Sequence, residues 1–193
     1  MIDCLTESIA DFYVRKNVIQ ANEKDVYKFG IYLILNDILT FSLVLILSAL
    51  FFKFRFGVEF LISFCCTRFF WGGYHAKKAS FCRLSMIAIW LCILLISLFY
   101  KSIHLFSLLT ILFVSFLLAL PLIPVKHPNK VLTEKLIKRG KVGGTLVYCF
   151  FSICSVISFM YIDSRDAIVI ALSLSAVSVL VIIGKFINER RGT

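Results

Sequence analysis

Apolar residues fall into six long runs along the chain: Phe29 to about Phe52, Phe56 to about Trp71, Leu84 to Tyr100, Ile103 to Ile123, Val142 to Ile162, and Ala167 to about Gly184. A helix rises about 1.5 Å per residue, so about 20 apolar residues cover the hydrocarbon core of a bilayer, and each run is read as one crossing. The second run differs from the rest because Glu59 and Arg68 interrupt it. Ahead of the runs, Ile2, Leu5, Ile9 and Phe12 recur at spacings of three and four, with Asp3, Glu7, Asp11, Arg15 and Lys16 between them. That period predicts an amphipathic helix lying on the membrane surface. The expected architecture is all-α and polytopic: one integral membrane domain over 1–193, with an interfacial region (1–28), six transmembrane helices within 29–187 and a short tail (188–193).

Composition narrows the class. Of 193 residues, 60% are apolar and only 17% charged, which excludes a disordered chain and an ordinary soluble domain. The 21 Lys and Arg exceed the 11 Asp and Glu, for a net charge of +10. In a membrane protein that excess belongs to loops held at an anionic leaflet, so anionic lipid is the expected partner and nucleic acid is not. Assigning alternate connections to opposite sides places sixteen bases on one side and four on the other, with Arg68 inside a helix. Both termini and the Gly72–Arg83 connection are therefore expected at the cytoplasmic face of the cell membrane. Met1–Ala21 lacks the continuous apolar run of a secretory signal. Seven cysteines without a C-x-x-C pair indicate neither a disulfide framework nor a zinc knuckle, and no metal or cofactor is expected. Cys65, Cys66, Cys92, Cys149 and Cys154, inside apolar runs, are read as packing residues.

Candidate chemistry concentrates between Arg68 and Arg83, where one crossing ends and the next begins. A cysteine becomes a nucleophile near a helix N-terminus, near cations, or beside a histidine that takes its proton. Cys82 has access to all three: Ser80 is read as the N-cap of the third crossing, Lys77, Lys78 and Arg83 are close in sequence, and His75 lies seven residues earlier. On one unbroken helix that spacing would separate the pair by about 10.5 Å, so the chain has to bend. Gly72 and Gly73 supply the permissive backbone. Beside the dyad reading stands a plainer one, a solvated histidine and a small apolar cysteine. Asp37, Glu59 and Arg68 are ionisable groups inside crossings, which face a protein interior or a wet cavity. They support either an ion pair, a carboxylate orienting His75, or the competing reading of the protein as a transporter that uses these charges. His127 sits in a cytoplasmic loop, and His104 falls at the opposite face from Cys82.

These residues resemble the accessory gene regulator B (AgrB) family, membrane cysteine endopeptidases of quorum sensing. The family pattern is an Arg, a small-residue pair before His-Ala, and a Cys seven positions after the His; here these are Arg68, Gly72-Gly73, His75-Ala76 and Cys82. The likeness extends to the polar N-terminal helix, about six membrane segments and a basic loop from Pro124 to Lys141. In that loop Val131 follows Asn129-Lys130, where family members often carry Asn-Lys-Pro. The resemblance implies Cys82 as nucleophile and His75 as its base; Arg68, Gly73, Ser80, Asp37 and Glu59 are the supporting candidates from the residues themselves. It implies cleavage of an AgrD-like precursor peptide through an acyl-enzyme thioester, closure to a cyclic thiolactone or lactone, and a homodimer.

Overall fold

A computed structural model describes residues 2–73, 79–100, 104–125 and 134–191, and those residues form seven α-helices. They are α1 (Ile2–Arg15), α2 (Lys24–Leu50), α3 (Phe54–Trp71), α4 (Ala79–Phe99), α5 (Leu105–Ala119), α6 (Glu134–Tyr161) and α7 (Ser164–Arg191), with a 3-10 turn at Ala21–Glu23 before α2. Each of the six apolar runs has become one helix, α2 to α7. Stretches of four of these helices, Ala21–Leu50, Phe81–Phe99, Glu134–Tyr161 and Ser164–Ile187, are long and apolar enough to cross a membrane, which fits a multi-pass membrane protein. α3 carries Arg55, Glu59 and Arg68. α5 has only 15 residues, about 22 Å, which is less than a hydrocarbon core.

Several helices overrun the runs that announced them. α2 begins at Lys24 instead of Phe29, α6 at Glu134 instead of Val142, and α7 continues to Arg191, beyond Gly184. Apolarity marks the lipid-covered part of a helix, whereas backbone hydrogen bonding continues into polar residues until a turn or a cap ends it. Tight connections at one end of the bundle set neighbouring helices antiparallel. After α2, Phe52 adopts a left-handed conformation (φ 55°) and the Lys53 N–H donates to the Ser48 carbonyl at 2.8 Å. Between α6 and α7, the N–H groups of Ile162 and Asp163 donate to the Ser158 carbonyl, and the Arg165 N–H donates to Asp163 Oδ1 at 2.9 Å.

α7 is the central helix: 67% of its apolar window is buried, against 22% to 28% for the other three candidate spans. It packs against α3, α4, α5 and α6. Its Ala167, Ala171, Leu174, Val177 and Val181 are buried along one side, and its small residues let neighbours approach closely. Large aromatics fill the remaining space, with the rings of Phe60 and Trp90 at 5.2 Å joining α3 to α4. α2 packs against both α3 and α4.

The N-terminal helix forms where its period placed it, but part of its charged face is used internally. Thr6 and Ala10 are buried, and Lys24 of α2 pairs with Glu7 and Asp11, each at 2.6 Å, while Lys28 also bonds Glu7. Leu5 and Phe12 are half exposed. Lys24 first, and then Lys28, hold the Glu7 carboxyl down at about 2 by hydrogen bonding.

Candidate active site at the break between α3 and α4

The α3 helix stops because its next two residues adopt backbone conformations that suit only glycine. Gly72 has φ 74° and Gly73 φ 134°. The Gly72 N–H still closes the last turn by donating to the Arg68 carbonyl at 2.8 Å. A Cβ on Gly73 would meet the backbone of Leu180 on α7 at 3.4 Å, so the chain leaves the helix pressed against the central helix. The break that Gly72 and Gly73 were expected to supply is present, since α3 ends at Trp71, while the bend expected between His75 and Cys82 falls partly on residues 74–78, which lie outside the described residues. His75 itself lies outside the described residues, as do Lys77, Lys78 and His127.

The end of α3 is fixed by its last side chain. Trp71 is fully buried and stacks on Tyr148 of α6, with centroids 4.9 Å apart and planes at 10°. The Tyr148 hydroxyl donates to the Leu112 carbonyl at 2.8 Å and lies 2.7 Å from Ser115 Oγ, which ties the stack to α5. The Trp71 carbonyl accepts from the Val125 N–H at 3.0 Å. α6 comes this close because it presents glycine: a Cβ on Gly140 would press the Phe70 carbonyl at 3.3 Å, and one on Gly144 would overlap the Trp71 indole. Sequence reasoning passed over this anchor. The signal was present in Gly140-x-x-Gly143-Gly144 at the start of an apolar run, the spacing by which membrane helices bring backbones together.

On the other side of the break, α4 begins at Ala79, so Ser80 lies inside the first turn and does not cap it as expected. A serine before an apolar run suggests a cap by residue type, but the cap position is set by where the chain becomes helical. Cys82 lies in the first described turn of α4 and is half-buried, toward the helix end whose dipole favours negative charge. The Arg68 guanidinium reaches across from α3, with Nη2 at 3.9 Å from Cys82 Sγ. The same guanidinium lies over the buried Phe64 ring at 5.6 Å. Cys82 stands seventeen residues from the end of α4, about 26 Å along the helix axis.

The structure thus brings Arg68 to Cys82 beside the glycine break that includes Gly73, while Asp37 lies on α2, which packs against both α3 and α4. It does not bring Glu59 to them. Glu59 is nine residues before Arg68, about 13.5 Å along α3. There it accepts from Arg55 Nε at 2.9 Å, while Arg55 Nη2 reaches Asp166 of α7 at 2.9 Å. This group borders a cavity of about 390 Å³ lined by Lys53, Arg55, Asp166 and neighbouring apolar residues. His104 precedes α5 on the far side from Cys82. All seven cysteines are free thiols. Cys66, Cys92 and Cys149 are exposed on the outside of the bundle instead of packed within it. A helix that is apolar all round gives no sequence signal separating its lipid face from its protein face.

Comparison with known families matches residues 6–183 to the profile described as Accessory gene regulator B, AgrB. Comparison with curated proteins and with solved structures finds no match.

Proposed function

From the premise that the chain belongs to the accessory gene regulator B family and so takes part in processing quorum-sensing peptides, we propose that it is a cysteine endopeptidase and cyclase of an AgrD-like precursor. The supporting observation is the contact between Arg68 and Cys82 across the break that follows Gly72. Cys82 Sγ attacks the carbonyl carbon at the scissile bond while its proton passes to His75. The carbon–nitrogen bond breaks, His75 returns the proton to the leaving amine, and the C-terminal fragment departs from a thioester on Cys82. A thiol or hydroxyl within the bound peptide then gives its proton to His75 and attacks the thioester. Cys82 leaves and regains the proton, and the product is a thiolactone or lactone ring.

Arg68 supplies positive charge where negative charge develops, first on the sulfur and then on the tetrahedral oxygen. Its place near a membrane border limits water, which favours ring closure over hydrolysis of the thioester. The site opens to the cytoplasm in this reading, because the bases of the Gly72–Arg83 connection and of the Lys126–Lys141 stretch lie on that side.

The experiment is mass spectrometry of the purified chain in lipid after addition of an AgrD-like precursor. It is expected to find an adduct on Cys82 equal to the N-terminal part of the precursor, and Cys82→Ala and His75→Ala each to lower cleavage by roughly a thousandfold or more. An adduct on another residue, or cleavage retained in either variant with the helical content unchanged, removes the proposed chemistry.

A further inference from the structure

The aromatic ring under Arg68 carries an inference that rests on this reading and deepens it. Phe64 and Arg68 are four residues apart on α3, so their side chains emerge on one side of the helix, one turn apart. The central carbon of the Arg68 guanidinium lies 5.6 Å from the centre of the Phe64 ring, within the range where a cation is drawn to the negative face of an aromatic ring. The ring is itself braced. Its centroid is 5.1 Å from that of Phe60, which stands 5.2 Å from Trp90 of α4, and all three side chains are fully buried. Trp90 follows Cys82 by eight residues on the same helix, about 12 Å along the axis. The row Trp90, Phe60, Phe64, Arg68 therefore starts on the helix that carries the thiol and returns to it, because Arg68 Nη2 ends 3.9 Å from Cys82 Sγ.

We propose that Phe64 is a positioning residue for the peptidase reaction: its ring face holds the Arg68 guanidinium at Cys82 Sγ. An arginine side chain is long and rich in rotamers, so its charge is delivered to one atom only when something along the way fixes the guanidinium. A ring attracts the charge without accepting two of its N–H groups as a carboxylate does, so the guanidinium remains a donor to sulfur and to a developing oxyanion. Arg55 shows the contrast, since Glu59 and Asp166 accept from its Nε and Nη2. A separation of 3.9 Å is at the long limit of a contact to sulfur, so the aim of the guanidinium decides how much of its charge the reacting atom meets.

The test uses the full chain in lipid nanodiscs and two readouts: the rate of iodoacetamide alkylation at Cys82, resolved by peptide mass mapping against the exposed Cys4 of the same molecule, and kcat and KM for cleavage of an AgrD-like precursor. Alkylation needs no precursor, so a failure of this proposal is distinguishable from a failure of the peptidase reading. Phenylalanines bearing one, two or three ring fluorines, placed at position 64 by nonsense suppression, drain the negative potential of the ring face stepwise with little change in its size. Cys82 alkylation and kcat are expected to fall together at each step, by about 5-fold to 30-fold in total, with KM and the melting temperature unchanged. Phe64→Leu, which keeps an apolar side chain but no ring face, is expected to lower both rates at least as far. The proposal is overturned if alkylation and kcat stay within about twofold of the parent throughout the fluorinated series, even where Phe64→Leu lowers them, because the ring then acts by packing alone. A rise in KM with kcat and alkylation unchanged also overturns it, since it makes Phe64 a substrate contact. Where the precursor is not cleaved by any form, the alkylation series decides by the same thresholds.

Discussion

Arg55 and Arg68 stand on the same helix, thirteen residues apart, in opposite settings. Arg55 is held by two carboxylates, Glu59 on its own helix and Asp166 on α7, both at 2.9 Å. This joins α3 to the central helix at the end where the connections are tight and hydrogen-bonded. Arg68 lies instead beside a thiol, at the end where α3 breaks on two glycines and Trp71 is clamped between α5 and α6. One arginine serves assembly and the other stands beside the thiol of the proposed active site. The lesson is that an intramembrane charge is read from what lies across the helix interface, not from its own residue type.

Two changes probe that contrast, beginning with the more disruptive. Gly144→Ala places a methyl group in the Trp71 indole and is expected to cost about 1–3 kcal/mol of stability while also slowing cleavage, because Trp71 anchors the break before His75. Thermal unfolding in detergent and turnover in lipid measure the two effects, and unchanged turnover at lowered stability would separate the anchor from the chemistry. Asp166→Asn takes one charge from the Arg55 group and is expected to cost about 1–2 kcal/mol, less than a fully buried pair because Arg55 is 56% exposed. Cys82 alkylation should stay at the parent rate, and a fall in that rate would mean the two ends of α3 are coupled.

The smallest effect concerns neither arginine. Glu7 is lowered from an ordinary 4.5 to about 2 by Lys24 and Lys28, so its contribution to docking α1 on α2 is present above about 4.5 and is lost as pH falls toward 2. Amide exchange in α1 is expected to rise over that window, and Glu7→Gln to remove the dependence. A rise centred above pH 5 would point to another group.

Much of this was legible before any coordinates. The six apolar runs became helices α2 to α7, and the pair Gly72-Gly73 gave the break, because only glycine accepts φ values of 74° and 134° in succession without strain. The cluster from Arg68 to Cys82 stood out because charged and nucleophilic residues are rare at the edge of apolar runs. Less legible were the helix ends, where polar extensions of α2, α6 and α7 look like loops, and Ser80, whose residue type suggested a cap that the backbone does not use. The exposed positions of the thiols Cys66, Cys92 and Cys149 were equally hidden, since an apolar helix does not show in its sequence which face is buried.

The amino-acid order alone determined that the chain is helical and suited to a bilayer, where its helices run, and where one of them must break, because these follow from local hydropathy and backbone sterics. Tertiary structure decided the partners. Glu59 could equally have served either arginine by type, and α7 packing drew Asp166 and Arg55 to it at one end while Cys82 of α4 came against Arg68 at the other. That choice depends on interhelical register, which a single helix does not encode and which is fixed only when small residues such as Gly57 and Gly144 let two particular backbones meet.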